Sequence, residues 1–208
     1  PMQTAWRDTR IARIYEGTNE INRMLSVGML IKKAMKGQLD LIGPATAVGE
    51  ELLDIPDFAI PDFSAPLSQE KHILKNLKKV FLMIAGAGVQ KYGTELEEHQ
   101  QLLLAVADIL IEVYMAESAV LRAEKNIGVY GLEAQEHQVA LSQLYLYQAV
   151  EKISIKGREA ILGFAEGDEQ KALLMGLKRF TKYMEYPNVI ALRNKVAEKL
   201  TAENVYCF

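Results

Sequence analysis

Beyond Leu67, apolar positions recur at helical spacing along nearly the whole chain. From Ser68 onward, Ile73, Leu77, Val80 and Ile84 share one face. Lys71, Lys75, Lys78 and Lys79 fall opposite, within about a 100° arc at 3.6 residues per turn. Ser68 is placed to cap this helix with Glu70 in its first turn, and Gly93 to end it. Thr94 and Glu97 have capping-box spacing for a second helix over about 95–126. Between Leu102 and Ala116 only Asp108 and Glu112 interrupt that helix's apolar surface, so other helices must surround it.

A third helix is predicted over Glu133–Phe164, with Leu146, Val150, Ile153, Gly157, Ile161 and Phe164 on one face. Gly167 and Asp168 punctuate it, and a fourth runs from Glu169 to Met184. Pro187 suits the first position of a last helix ending near Leu200. No run of useful length alternates with period two, so strands are not expected. The predicted class is all-α, an up-and-down helical bundle.

The first 67 residues break this pattern. Trp6–Ile14 reads as a basic amphipathic helix that stops at Glu16-Gly17-Thr18, where Gly17 permits an unusual backbone angle. Thr18 or Asn19 can cap the helix that follows. Residues 1–36 carry seven Lys/Arg against three Asp/Glu, whereas 37–70 carry seven acids and no base. Pro44, Pro56, Pro61 and Pro66 prevent a long helix through the acidic stretch. The expected organisation is a helix-turn-helix over 1–36, an acidic Pro/Gly connector over 37–67, and the bundle over 68–208. One short helix at Ala45–Leu53 is predicted in the connector, lying across another surface.

Composition narrows the class. A chain of 208 residues makes one large domain or two small ones and can bury a sizeable core. The lone Cys207 excludes an intramolecular disulfide. A net charge of −3 argues against nucleic acid as a partner. The longest apolar run, Val80–Val89, is about half of a bilayer-spanning helix. A soluble chain from a reducing compartment is expected. The opening Pro1, with no charged-then-apolar leader, fits the tail of a longer polypeptide; a processed complete protein is the alternative.

Conventional catalytic patterns are scarce. His72, His99 and His137 lie on different predicted helices, and no Glu-x-x-His pair occurs, so a metal site is not expected. Gly86-Ala87-Gly88 lies inside a helix and follows no strand, which suits close helix packing rather than nucleotide binding. No glycine-framed nucleophile appears. Glu16 is the exception, because a helix-to-helix turn can project a carboxylate into a cleft. The same residue also reads as a surface glutamate in a capped turn.

The run Arg7-Asp8 followed by Ile14-Tyr15-Glu16-Gly17-Thr18 resembles, residue by residue, the signature near the end of the acyl-CoA dehydrogenase catalytic unit. Those flavoproteins desaturate acyl-CoA thioesters. The resemblance implies that Glu16 is the catalytic base, taking a proton from the α-carbon while a hydride leaves the β-carbon for FAD. It implies that the backbone N–H at Glu16 donates to the thioester carbonyl, with Gly17 beside the substrate. Thr18 and Glu20 align with contacts to FAD, although the second position is commonly Gln or Asp in the family. An apolar site would raise a carboxylate's pKa toward working pH, as a base requires.

Medium- and short-chain members stop soon after this motif, whereas the very-long-chain type continues into a helical extension about as long as residues 37–208. The run Ala107-Asp108-Ile109 through Tyr114 to Leu121-Arg122-Ala123 is similar to that extension's central helix. The implied protein is the C-terminal portion of an FAD-dependent dehydrogenase of long or very long acyl-CoA, inactive in isolation. An electron-transfer flavoprotein is the implied acceptor, homo-oligomers the implied assembly, and a bacterial cytoplasm or mitochondrial matrix the implied compartment. The rival is a non-catalytic helical interaction module. The lysine face with Phe81 on its flank suits an anionic membrane surface, but packing within and between subunits is the preferred use.

Overall fold

The computed structural model describes residues 2–54 and 61–205. Eight α-helices are found there: α1 (Met2–Asp8), α2 (Asn19–Met35), α3 (Ile42–Leu53), α4 (Ser68–Tyr92), α5 (Gln100–Tyr130), α6 (Glu136–Phe164), α7 (Gly167–Phe180) and α8 (Val189–Glu203). Short 3-10 turns occupy Ile11–Arg13, Gly93–Glu98 and Glu133–Gln135, and no strand occurs among the described residues. The all-α bundle is as the periodicity predicts. Pro56 and Cys207 lie outside the described residues.

The core is built by α4, α5 and α6, with α5 and α6 packed most extensively. Leu77, Val80 and Ile84 from α4, Ile109 and Val120 from α5, and Ile153 and Ile161 from α6 are fully enclosed. Those of α4 and α6 are the residues the helical period assigns to the inner faces, because each spacing of three or four returns to one side of the helix. Helix α7 adds Leu173, Leu177 and Phe180. Helix α8 packs on α6 through a separate small cluster of Ala140, Leu144 and Val196.

Helix α3 lies across α4 and α7. The approach is close: a Cβ at Gly176 would stand 2.4 Å from Leu52 Cδ2 and 2.8 Å from Met83 Sδ. Glu51 reinforces the contact by accepting from Lys79 at 2.7 Å and Arg179 at 3.3 Å. Helix α2 docks on α5 and contributes Val27 to the same core cluster as the bundle.

Several ends differ from the sequence expectation, each for a local reason. Ser68 is not the cap of α4: Leu67 holds that position at φ 61°, and Ser68 Oγ donates to the Ala65 carbonyl at 2.6 Å. Burial of the Leu67 side chain outweighs a side-chain cap and the strained backbone angle. The Thr94–Glu97 capping box does not form. A 3-10 turn there buries Leu96, Glu97 pairs with Lys32 at 2.8 Å, and α5 begins only at Gln100. Helix α7 ends at Phe180 rather than Met184, since Tyr183 turns into the core. Pro187 stands ahead of the cap instead of first in the helix, because Asn188 Oδ1 takes the Ala191 N–H at 3.0 Å.

The largest correction is at the start. The helix expected over Trp6–Ile14 stops at Asp8, and a 3-10 turn replaces its second half. Thr9 Oγ1 donates back to the Trp6 carbonyl at 3.0 Å, competing with helix continuation. Every described residue from 2 to 17 is exposed, so no tertiary burial holds a regular helix here.

Candidate functional site

The Glu16-Gly17-Thr18 segment is a tight corner feeding α2. The chain turns over at Ile14 and Tyr15, whose N–H groups donate to the Ile11 carbonyl at 2.9 and 3.1 Å. Glu16 then takes φ 57° and Gly17 φ 93°. Glycine occupies such an angle without steric cost, but a side chain at residue 16 does not, so neighbouring bonds must hold it. Two bonds lock the corner onto α2. Thr18 Oγ1 accepts from the Ile21 N–H at 3.2 Å, and Asn22 Nδ2 donates to the Gly17 carbonyl at 2.9 Å. The space at Gly17 is closed as well, since a Cβ would stand 2.7 Å from Asn22 Oδ1.

The four residues singled out from sequence, Glu16, Gly17, Thr18 and Glu20, therefore lie within one turn of α2's N-terminus. Glu16 and Gly17 are exposed, Thr18 is half-buried and Glu20 is exposed. Among the described residues, nothing forms an ion pair or hydrogen bond with the Glu16 carboxylate. Ile14 and Tyr15 next to it in the chain, and Trp6, Ile21 and Leu25 in the same segment, leave apolar surface in solvent. A corner of this kind presents a carboxylate beside an uncovered apolar wall, which is half of a proton-abstraction site.

Of the two residues aligned with FAD contacts, Glu20 lines a concavity at this corner and Thr18 does not. A concavity of about 380 Å³ is lined by Arg13, Asn19, Glu20, Asn22, Arg23, Ser26 and Ile111. Its wall mixes charged and amide groups at the positive end of α2, a donor set suited to a polar cofactor edge. The described residues offer one wall for such a group, open on the other side.

Sequence reading passed over two supports of this corner. Asn22 is the lock on Gly17, and its spacing of five residues matches no capping rule. Arg23 fixes α2 from below. Its Nη1 donates to Asp108 Oδ1 on α5 at 2.5 Å, and its Nη2 lies 3.9 Å from Glu20 Oε1. Arg23 and Asp108 are 85 residues apart, so no local pattern links them. The other polar residue of α5's apolar stretch, Glu112, accepts from Lys152 at 2.7 Å and Tyr145 at 3.1 Å. Burial first, then the charge and hydrogen bond of Glu112, push the Tyr145 phenol up to about 12.

The histidines do not converge. His72 bonds Asn76, His99 stacks on Tyr92 with centroids 3.5 Å apart, and His137 lies 3.7 Å from Glu136. Among the described residues no group of three or more His, Cys, Asp or Glu could hold a metal ion. No helix there is long and apolar enough to cross a membrane. The lysine face of α4 is largely answered within the chain: Lys71 by Glu124, Lys78 by Glu117 and Lys79 by Glu51. Phe81 is buried.

Comparison with known proteins bears on the whole chain. Residues 76–179 match the family described as acyl-CoA dehydrogenase, C-terminal domain. A probable acyl-CoA dehydrogenase of Bacillus subtilis (strain 168) is 38% identical over 198 residues, which cover 94% of this chain and 32% of that protein. The crystal structure of an acyl-CoA dehydrogenase complexed with FAD from Bacillus anthracis superposes with a TM-score of 0.91 at 37% identity. It covers 98% of this chain and 34% of that one. The chain thus spans about a third of the length of these relatives. The family match falls on α4–α7, the part in which sequence showed the weaker resemblance, while the longer alignments take in the Glu-Gly-Thr corner as well. The chain belongs to the acyl-CoA dehydrogenase C-terminal domain family.

Proposed function

We propose that this chain is the C-terminal portion of an FAD-dependent acyl-CoA dehydrogenase of the very-long-chain type, acting on long or very long fatty acyl-CoA. Residues 1–36 are then the end of the catalytic helical domain, 37–67 the connector and 68–208 the additional bundle. The observation that carries this reading is the Glu16 corner: an accessible carboxylate without a partner among the described residues, on a locked turn, beside apolar side chains left uncovered. In the complete protein the preceding segments cover that surface, excluding water and raising the proton affinity of the carboxylate.

Glu16 removes the proton from the carbon next to the thioester carbonyl. The N–H at Glu16, beside Gly17, donates to that carbonyl and stabilises the enolate-like charge. Thr18 and Glu20 hold the cofactor edge along the first turn of α2. FAD, when bound, supplies the hydride acceptor for the β-carbon. The chain alone lacks the opposite wall and is inactive. Reduced enzyme passes its electrons to an electron-transfer flavoprotein, the complete protein is a homo-oligomer, and the bacterial relatives favour a cytoplasmic setting over a mitochondrial matrix.

Pairing of Lys71, Lys78 and Lys79 with acids of α5 and α3 favours packing over a membrane surface as the role of α4. The test is Glu16→Gln in the full-length enzyme. Dehydrogenation is lost while flavin content and absorbance are retained; turnover close to wild type would overturn the assignment.

A further inference from the structure

A second polar concavity, away from the Glu16 corner, has no role in the proposed reaction. It opens between the N-terminal turn of α4, the first half of α6, the connection from α7 to α8 and the start of α8, with a volume of about 350 Å³. Glu70 and Tyr183 line it at 7% and 4% exposure, so both polar side chains are more than nine-tenths buried. The Tyr183 hydroxyl has no hydrogen-bond partner among the described residues. Glu70 receives one bond, from Gln143 Nε2 at 2.7 Å, and no cation among the described residues pairs with it.

A buried carboxylate held only by a neutral amide is costly unless something offsets its charge. The start of α4 supplies about half a unit of positive charge, which leaves the site net negative. Lys195 stands at the rim but is engaged by Glu136 at 2.7 Å. One side of the wall is aromatic: the Tyr186 ring lies 5.3 Å from that of Tyr183, centroid to centroid, and is exposed at the mouth. This wall is fixed in place, since Gln69 donates to the Glu185 carbonyl at 3.2 Å and accepts its N–H at 3.1 Å. Burial first, and the Glu70 charge second, push the Tyr183 phenol well above its ordinary range, so it stays neutral and able to accept or donate.

We propose that this concavity binds an organic cation, a primary ammonium or guanidinium group, with Glu70 as counter-ion. Tyr183 Oη accepts one of its N–H bonds, and the Tyr186 ring flanks the charge. The volume admits a small amine or one inserted lysine or arginine side chain. It does not depend on the flavin site, and it stands or falls separately from the dehydrogenase reading.

The test is titration of the folded chain with n-propylammonium and with methylguanidinium, followed by the Gln143 side-chain amide and the tyrosine ring resonances. Propanol serves as the neutral match. The expected result is saturable shifts with at least one cation and none with propanol, a tenfold or greater loss of affinity in Glu70→Gln, and a smaller loss in Tyr183→Phe. Sedimentation with and without propylammonium separates the sources. Dissociation of an oligomer assigns the site to a side chain of a second copy, and an unchanged state assigns it to a free amine. Equal shifts with propanol, unchanged affinity in Glu70→Gln, or no saturable shift with either cation would overturn the proposal. In those cases ordered water alone satisfies Tyr183 and Glu70.

Discussion

The ion pair between Arg23 and Asp108 is the joint at which the signature helix meets the bundle, and its removal has a calculable effect. Both side chains are about a quarter exposed, at 29% and 26%, with Nη1 to Oδ1 at 2.5 Å. Two unit charges about 4 Å apart attract by about 4 kcal/mol at an effective dielectric constant near 20. Access to water and the entropy of ordering two side chains remove much of that, leaving a coupling of about 1–2 kcal/mol, between surface and buried pairs.

Asp108→Ala costs somewhat more, about 2 kcal/mol, because the Arg23 Nε is already buried without a partner among the described residues and Nη1 then joins it. A double-mutant cycle with Arg23→Ala and Asp108→Ala, followed by urea unfolding, isolates the coupling. Because α2 carries Asn22 and is capped by Thr18, the proposed function predicts that full-length Asp108→Ala protein also loses turnover without losing substrate binding. A coupling below about 0.3 kcal/mol would mean that the pair behaves as an ordinary surface contact and that α2 is held mainly by Val27 and its apolar neighbours.

Three further outcomes are expected. Gly17→Ala places a side chain at φ 93° and 2.7 Å from Asn22 Oδ1; it should destabilise the corner by about 1–3 kcal/mol, read as loss of the Asn22 amide's protection in hydrogen exchange. Ile84→Ala removes a fully enclosed side chain at the centre of the bundle, and urea unfolding should show a loss of about 2–5 kcal/mol. Burial, with Lys79 and Lys75 adding to it, lowers the His72 pKa from its ordinary 6.5. The unfolded chain then binds the proton first, so stability is full above 6.5 and declines as pH falls through that value. His72→Gln should flatten that slope in unfolding measured from pH 8 to 5, and an unchanged slope would contradict the assignment.

Legibility in the sequence followed the range of the interaction. The period of Leu77, Val80 and Ile84 predicts their burial directly, because a helix maps spacing onto direction without help from the rest of the fold. The Glu16 corner was equally readable: a glycine at positive φ and a threonine cap three residues from its donor are local chemistry. Helix ends were less so. At Leu67 and Leu96 a buried leucine overrode the capping residues beside it, and the gain from that burial depends on neighbours distant in sequence.

The amino-acid order alone thus determined the all-α class, the inner faces of the long helices and the hinged carboxylate near the start. Only the tertiary structure decided that Arg23 meets Asp108, that Lys71, Lys78 and Lys79 of α4 pair with acids of α5 and α3, and that Glu70, Gln143 and Tyr183 share one concavity. The physical reason is that charge pairing and desolvation act through space. Residues 28 and more positions apart acquire a common environment only when packing of the apolar faces has brought their helices together.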